Sequence, residues 1–402
     1  MHRLSITLGK GKVLLVKGKA HAVCKGDVSL LGVNMNGRSI SIRYGKILPF
    51  EADSDDASVM LELYDGEYSV RDASEGLGTS IWRYAEQVFE HYTNSNIRPF
   101  KVMLIGGTDS GKSTLTSYIA NLALTRGLRV GIVDADIGQG DIAPPACMGS
   151  CILNDYIFDL RDVKGSNYYF IGKLSPMGIE GYVIQGLKHL IGNVKSDICI
   201  INTDGYIDDY GSIYKIRMVD AVKPDMVVIL GSFNNMQDVK SICKSILNLS
   251  IPREVYKSRG DRIARRVEQY RRFINADNSR LTTFRINSKE YEFIGKSVVM
   301  MSNKGNYNYK PINNIKRLKD YDDYDTLILS ASILNGMFVA LSMYNTTVGF
   351  GLILSVIDGY VKMMSSYEGE FDKILLSNIR LNNTLSTEYT IPLPLLYNYH
   401  PQ

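Results

Sequence analysis

The 402-residue chain has few cysteines, a single tryptophan and no long apolar run. Its five cysteines, at positions 24, 147, 151, 199 and 243, form no CxxC pair. Cys147 and Cys151 are spaced CxxxC, but no second pair or nearby histidine completes a zinc site. The pattern therefore argues against a disulfide-rich scaffold and favours buried, reduced thiols.

Membrane-spanning and export signals are also missing from the sequence. No apolar run reaches the ~18–20 residues that a membrane span requires. The segment MHRLSITLGKGKVLLVKGKAHAV has basic residues but no long apolar stretch and no small-residue cleavage site. We therefore expect a cytoplasmic protein with no signal peptide and no membrane partner.

The net charge of the chain is small, but basic residues are concentrated in one segment. A net charge of +4 is too weak to indicate nucleic-acid binding by itself. Between positions 253 and 272, however, eight basic residues face three acidic ones, which leaves +5 on this segment. The basic residues are Arg253, Lys257, Arg259, Arg262, Arg265, Arg266, Arg271 and Arg272.

Hydrophobic periodicity divides the chain into four parts. Residues 1–75 alternate apolar and polar positions between Gly, Asn and Asp, which predicts a small β-sandwich-like domain. TSIWRYAEQVFEHYTNS predicts an amphipathic linker helix within 76–97. Continuous apolar strands alternate with helices over 98–295, and strand-like runs return in 296–402. The expected fold class is α/β: a central P-loop NTPase domain with a parallel sheet, flanked by two small β-rich domains.

The stretch GGTDSGKST matches the full P-loop pattern from Gly106 through Gly111, Lys112 and Ser113. An apolar strand precedes it and a helix follows it, which argues against a plain glycine turn. The loop amides and the helix N-terminus should hold phosphate, with the lysine on the β- and γ-phosphates and the serine hydroxyl on magnesium. Thr114 either continues the helix or approaches the α-phosphate.

The next predicted strand ends in VDADIGQGD, which places two acids at the ligand-binding edge of the sheet. Asp134 and Asp136 are two residues apart and point the same way from an extended strand. One could hold magnesium through water, and the other could accept a proton from an attacking hydroxyl. The alternative is a solvated turn.

Two further stretches complete the predicted site edge. INTDGYID places Thr203 and Tyr206 where a nucleic-acid strand could stack on the ring, although the residues alone favour a tight turn with a surface tyrosine. In the basic segment, Asp261 is a candidate N-cap, and Arg262, Arg265 and Arg266 share one face of the following helix. They either close over a transferring phosphoryl group or form a solvated basic face.

Taken together, these motifs resemble the polynucleotide 5′-hydroxyl kinase family, which includes the kinase subunit of the pre-mRNA cleavage machinery, nucleolar pre-rRNA processing kinases and archaeal homologues. GGTDSGKST is similar to the family P-loop, DADIGQG to its Walker B variant, NTDGY to its clasp and SRGDRIARRVEQYRRF to its arginine lid. YYFIGKLSPMG and the two flanking β-rich regions are similar as well, so the resemblance covers nearly the whole chain.

The resemblance implies transfer of the ATP γ-phosphate to the 5′-hydroxyl of single-stranded RNA or DNA, with magnesium, in RNA processing or repair. It implies Asp136 as general base and Lys112 as phosphate ligand, both counted as catalytic with Arg262, Arg265 and Arg266. The implied metal residues are Ser113 and Asp134, and the implied nucleic-acid residues are Gln139, Thr203 and Tyr206. The implied ATP-binding residues are Gly106, Thr108, Asp109, Ser110, Gly111, Lys112, Ser113 and Thr114.

The sequence departs from the family pattern in two places. The clasp ends in Tyr206, where many members have tryptophan, and the lid carries more arginines than the pattern needs. The family also stacks the terminal base on aromatic side chains of the N-terminal domain, which the sequence does not single out. A catalytically silent, ATP-bound scaffold subunit of an RNA-processing complex is the alternative. A partition or metal-delivery ATPase with an Asp-x-Asp strand end is a third possibility, but it gives no reason for the lid and clasp.

Overall fold

The computed structural model describes residues 2–75, 78–252, 259–274, 280–285, 291–294, 297–300, 316–317, 327–330, 334–357 and 360–391. The chain divides into two compact units. The first comprises Met1–Ala143, Met148–Asn167 and Pro176–Arg265, and the second comprises Pro144–Cys147, Tyr168–Ser175 and Arg266–Gln402.

The first unit begins with a seven-stranded antiparallel sheet, as the alternating N-terminal pattern predicts. The strands are β1 (His2–Leu8), β2 (Lys12–Lys25), β3 (Val28–Leu30), β4 (Val33–Asn34), β5 (Ser39–Ile42), β6 (Ile47–Ala52) and β7 (Ala57–Asp72). Their order is β1-β7-β2-β6-β3-β4, and β5 pairs with β2. The long β2 and β7 pair from Lys12 opposite Asp72 to Lys25 opposite Ser58, with a register shift after Lys19.

The predicted linker helix is only partly α-helical. Gly78–Glu86 forms a 3₁₀ helix, and the α-helix α1 is confined to Gln87–Thr93. Trp82 explains the tighter winding, because its buried ring packs near Tyr118 while its indole N–H donates to the Ser250 carbonyl at 3.2 Å. Tertiary contacts of one large side chain outweigh the helical periodicity of the segment.

The sequence motifs lie at the ends of strands in the second sheet. The strands of this sheet and the helices between them are, in chain order, β8 (Phe100–Gly106), α2 (Lys112–Thr125), β9 (Val130–Ala135), β10 (Cys147–Ile152), β11 (Asn167–Phe170), α3 (Glu180–Gly192), β12 (Ile198–Thr203), α4 (Asp209–Val222), β13 (Met226–Leu230), α5 (Met236–Ile242) and β14 (Ile246–Leu249). Strands β9, β12, β8, β13 and β14 pair in parallel, in that order. Strand β10 pairs with β9 antiparallel at Gly149–Ile152, an exception that the sequence pattern does not indicate.

Parallel pairing brings the motifs to one edge of this sheet. Strands β9, β12 and β13 are buried along their whole length, which explains their continuous apolar runs. The register sets Thr203 beside Ala135 and Leu230 beside Gly106. The carboxyl ends of β8, β9 and β12 therefore meet where ligands bind in open α/β sheets.

Helix α6 (Arg259–Ile274) runs from the first unit into the second after Arg265. The helix already includes Arg259 and Gly260, so the prediction of Asp261 as N-cap is wrong. Asp261 lies in the first turn instead, and its carboxylate accepts the Tyr44 hydroxyl at 3.0 Å.

The second unit is β-rich, as predicted for the C-terminal part. Its strands are β15 (Arg280–Arg285), β16 (Tyr291–Ile294), β17 (Ser297–Met300), β18 (Lys316–Arg317), β19 (Leu327–Ser330), β20 (Met337–Met343), β21 (Thr346–Ile357), β22 (Tyr360–Ser365), β23 (Lys373–Leu381) and β24 (Glu388–Thr390). They form sheets of order β15-β22-β21-β20-β23-β24 and β16-β17-β19-β18. The Phe338 ring, stacked on Phe350 and edge-on to Tyr270, marks its core.

The α/β fold class with two flanking β-rich regions is thus confirmed. The boundaries at residues 75, 97 and 295 stay predictions, and residue 295 lies outside the described residues. Of the helices in the described part of the chain, none combines the length and apolar character of a membrane span.

Candidate active site

The P-loop connects the end of β8 at Gly106 to the start of α2 at Lys112. A Cβ on Gly106 would lie 2.7 Å from the Ser110 hydroxyl and 3.0 Å from the Leu230 carbonyl, so the tight start of the loop requires glycine. Gly111 has φ of 93°, a left-handed conformation that favours glycine, and Asp109 has φ of 58°. The loop therefore has the curvature that turns backbone amides toward an anion.

Lys112 lies inside the loop that precedes it. Its ammonium donates to the carbonyls of Gly106 and Gly107, both at 2.7 Å, and the residue is 6% exposed. Burial lowers the pKa of Lys112 to about 8, and the nearby Asp136 carboxylate opposes this shift. The ammonium is thus held at the phosphate-binding face, ready to exchange carbonyl oxygens for phosphate oxygens.

Asp134 organises the loop that follows β9. One carboxylate oxygen accepts the Asn202 side-chain amide at 2.9 Å and the Asp136 N–H at 3.3 Å. The other accepts the N–H groups of Asp141 at 2.7 Å and Ile142 at 3.5 Å. Burial, followed by the charges of Asp141 and Asp136, raises the pKa of Asp134 to about 7. With both oxygens engaged at 1% exposure, the geometry favours a structural role, and the metal role of Asp134 stays a prediction.

Asp136 has a different environment only two residues later. It is half-buried, and its Oδ1 accepts the N–H groups of Gly138 at 3.1 Å and Gln139 at 2.8 Å. Burial and the Asp204 charge raise the pKa of Asp136, while Lys112 lowers it. This carboxylate is oriented by its own loop and reaches the edge of the sheet, which suits a proton acceptor better than Asp134. Gln139 is held beside it through its backbone.

The NTDGY turn packs directly on the P-loop. A Cβ on Gly205 would lie 2.6 Å from the Thr108 N and 2.5 Å from its hydroxyl, so only glycine allows this approach. Thr203 is fully buried, and its hydroxyl donates to the Leu104 carbonyl at 2.7 Å. Tyr206 is half-buried, with its ring 6.3 Å from that of Tyr214. The turn is therefore a neighbour of the phosphate loop, with Tyr206 as its partly accessible ring.

Two arginines of α6 lie at this site. Arg262 donates to the Asp109 carboxylate in the P-loop at 3.0 Å. Arg265 is almost fully buried and donates to Asp141, which follows the DADIGQG loop. The guanidinium groups are thus held by carboxylates on the two loops that carry Lys112 and Asp136.

Arg266 has a separate set of contacts within the second unit. Its Nε and Nη2 donate to the Glu388 carboxylate at 2.8–3.0 Å, in a bidentate pair that buries both side chains. Arg271 donates to the carbonyls of Leu385 and Thr384. These contacts favour a structural role for Arg266. Arg253 and Lys257 lie outside the described residues.

The site contains charged groups that the sequence analysis did not single out. Lys46, in the turn between β5 and β6, is 7% exposed, and its Nζ lies 3.4 Å from the Thr114 hydroxyl, 68 residues away in the chain. Lys215 on α4 forms a buried ion pair with Asp204. Asp141 pairs with Arg265. The carboxylate of Asp141 follows the glutamine-glycine motif and was visible in the sequence, whereas nothing local signals the two lysines.

The donor set fits magnesium in the manner of nucleotide sites. Among the described residues, no three His, Cys, Asp or Glu side chains converge as a metal cage. Magnesium in such sites usually takes only one or two protein oxygens beside phosphate and water. The Ser113 hydroxyl in the first turn of α2 is an oxygen donor of this kind, and Asp134 stays the predicted carboxylate that holds the metal through water.

Sequence comparison finds a family model and several relatives that are similar to the same segment. Residues 106–276 match the family model described as mRNA cleavage and polyadenylation factor CLP1 P-loop. A polyribonucleotide 5′-hydroxyl-kinase of Pyrococcus horikoshii is 34% identical over 194 residues, which is 47% of this chain and 53% of that protein. A polyribonucleotide 5′-hydroxyl-kinase of Methanocaldococcus jannaschii is 37% identical over 153 residues, covering 38% of this chain and 42% of its own.

The chain spans about half the length of the curated relatives it matches. The structural similarity covers more of the chain than the sequence similarity does. A solved structure of Clp1p in complex with Pcf11p (454–563) superposes with a TM-score of 0.68, at 13% identity, over 94% of this chain and 98% of that chain. The chain therefore shares the fold of this Clp1p structure. The chain is therefore similar over residues 106–276 to the P-loop family of the mRNA cleavage and polyadenylation factor CLP1.

Proposed function

We propose that this protein is an ATP-dependent polynucleotide 5′-hydroxyl kinase that phosphorylates RNA and/or DNA in RNA processing or repair. The observation that carries the proposal is the contact between two halves of one site. The Gly205 turn lies against the P-loop at Thr108, and Asp136 is close enough to Lys112 for each charge to shift the other's pKa. A donor site and an acceptor site therefore share one edge of the sheet.

The donor half binds ATP. The loop amides and the Lys112 ammonium hold the phosphates. Ser113, and Asp134 through water, would hold magnesium, which would supply positive charge next to the phosphates. Thr108, Asp109, Ser110 and Thr114 complete the ATP-binding set. Lys112 is suited to this role because its ammonium is already oriented by two loop carbonyls and loses little conformational freedom on binding.

The acceptor half activates a 5′-hydroxyl. Its oxygen attacks the γ-phosphorus, the bond to the β-phosphate oxygen breaks and ADP leaves, while the hydroxyl proton passes to the Asp136 carboxylate. The raised pKa of Asp136 makes it a stronger base than an exposed aspartate. Gln139 and Tyr206 are the proposed nucleic-acid contacts, with the half-buried Tyr206 ring as a stacking surface for a single strand. Thr203, which is fully buried, supports the turn through its bond to the Leu104 carbonyl.

The lid arginines stabilise charge on the transferring phosphoryl group. Arg262 is anchored on Asp109 of the phosphate loop and Arg265 on Asp141 of the loop after β9, so both guanidiniums are held in place before any substrate enters. Preorganised cations of this kind accelerate phosphoryl transfer because they need no reorganisation during the reaction. The names of the archaeal relatives, polyribonucleotide 5′-hydroxyl-kinases, support the same reaction for this chain.

A label-transfer assay tests the proposal. Purified protein is incubated with γ-labelled ATP, magnesium and 5′-hydroxyl oligonucleotides of matched RNA and DNA sequence, single- and double-stranded. We expect label on at least one oligonucleotide and none with Lys112→Met. ATP that stays bound and intact while no oligonucleotide is labelled would overturn the proposal in favour of a silent, ATP-bound scaffold.

A further inference from the structure

Asp204 of the NTDGY turn belongs to a buried ion pair, and its cation, Lys215, has no role in the proposed reaction so far. Lys215 Nζ, on α4, is 2.9 Å from Asp204 Oδ1, and the two side chains are 0% and 6% exposed. Burial lowers the pKa of Lys215, and the Asp204 carboxylate opposes that shift. Buried pairs are weak contributors to net stability, because the desolvation of both charges offsets their attraction. The pair between Lys215 and Asp204 is therefore better explained by a positional role.

The pair controls the backbone of the turn. Asp204 Oδ1 also accepts the Tyr206 N–H at 2.9 Å, and Oδ2 accepts the Tyr214 hydroxyl at 3.3 Å. Tyr214 and Lys215 are adjacent on α4, so the helix holds the carboxylate from two directions. The carboxylate in turn fixes the peptide that carries the Tyr206 ring.

The same turn is pressed against the donor loop. Gly205 follows Asp204 directly, and its Cα is close enough to Thr108 that no Cβ fits between them. Any shift of Asp204 therefore changes the position of Tyr206 relative to the P-loop. The chain of contacts runs from α4 through Asp204 to the acceptor side of the site.

We propose that Lys215 is a positioning residue for the acceptor: through Asp204 it sets the distance and orientation of the Tyr206 turn relative to the P-loop. The proposal rests on the proposed kinase function for its catalytic readout. Loss of Lys215 should weaken binding of a 5′-hydroxyl oligonucleotide more than binding of ATP. If Lys215 had a purely structural role, its loss would weaken the binding of oligonucleotide and of ATP to the same extent.

The test uses the full chain and three measurements: the KM for a 5′-hydroxyl oligonucleotide, the Kd of the same oligonucleotide by fluorescence anisotropy, and the Kd of a fluorescent ATP analogue. Lys215→Met should raise the KM and the Kd of the oligonucleotide about tenfold or more, and the Kd of the ATP analogue less than about threefold. The double variant Asp204→Asn/Lys215→Met should bind the oligonucleotide better than Lys215→Met, because it leaves no unpaired buried carboxylate. Lys223→Met is the matched control, since Lys223 caps the same helix in an exposed pair with Asp220.

Tyr214→Phe keeps the test decisive if Lys215→Met fails to fold, since it removes only one hydroxyl donor from Asp204. It should raise the oligonucleotide Kd about threefold and leave the ATP-analogue Kd unchanged. An unchanged oligonucleotide Kd in the folded variants, or equal losses for oligonucleotide and nucleotide, overturns the positioning role. If the wild type binds the oligonucleotide without phosphorylating it, the kinase function fails while the anisotropy data still decide the role of Lys215. If the wild type neither binds nor phosphorylates it, both proposals fail.

Discussion

Separate substitutions of the lid arginines should divide them into two that support transfer and one that supports the fold. Arg262→Ala removes a partly exposed contact to Asp109, so we expect at most ~1 kcal/mol of lost stability. If Arg262 neutralises charge on the transferring group, its loss should slow transfer by about 10³-fold, equivalent to ~4 kcal/mol of barrier. Stability and rate should therefore respond very differently to this one substitution.

Arg266→Ala should show the opposite pattern. It leaves Glu388, whose side chain is 5% exposed, without its bidentate partner, which costs ~3–5 kcal/mol for a buried carboxylate. The transfer rate per folded molecule should change less than about threefold. Arg265 requires a paired design, because Arg265→Met alone leaves Asp141 buried at 1% exposure without its cation. In an Asp141→Asn background, Arg265→Met should lower the rate with little further loss of stability.

The assay combines single-turnover label transfer at saturating ATP with thermal melting of each variant. Arg262→Lys serves as a control that keeps the charge but not the planar fork, and should recover part of the rate. The reasoning is refuted if Arg262→Ala transfers label within about threefold of the wild type. It is equally refuted if Arg266→Ala, while still folded, loses as much rate as Arg262→Ala.

Three further outcomes follow from the site. Asp136→Asn should lower the transfer rate by ~10²–10⁴-fold and leave the melting temperature near normal. Asp134→Asn should lower the free energy of unfolding by ~2 kcal/mol or more, because an amide cannot accept all four N–H groups that the carboxylate accepts. Equal melting temperatures for the two variants would contradict this division of roles. Gly205→Ala should weaken ATP binding about tenfold in calorimetry, since its Cβ meets Thr108, while Gly181→Ala, with open space around it, should not. Chelation of magnesium with EDTA should stop label transfer and excess magnesium should restore it; transfer that continues in EDTA would contradict a magnesium-dependent site.

The parts of the site that depend on short spacing could be predicted from the sequence. The P-loop, the paired acids and the strand ends were predictable because each is defined within about ten residues, and parallel pairing brings strand ends together in any such sheet. The placement of Gly205 against Thr108 could not be predicted, since it depends on how closely two loops approach across the sheet edge.

The contacts that depend on distant pairing escaped the sequence analysis. Lys46 and Thr114 are 68 residues apart, and Arg265 and Asp141 are 124 apart, so no local pattern links them. The helical face predicted for Arg262, Arg265 and Arg266 could not separate them, because neighbouring positions of one helix meet different partners. The 3₁₀ segment before α1 was likewise decided by the tertiary contacts of Trp82 rather than by periodicity.

The most direct measurement is the chemical position of the transferred phosphate. After reaction with γ-labelled ATP, the oligonucleotide is digested with a nuclease that releases nucleoside 5′-monophosphates, and the products are separated by chromatography. The account predicts label only in the monophosphate of the first nucleotide, and none with Asp136→Asn. Label found solely as inorganic phosphate, or distributed to internal positions, would contradict a 5′-hydroxyl acceptor held beside the P-loop.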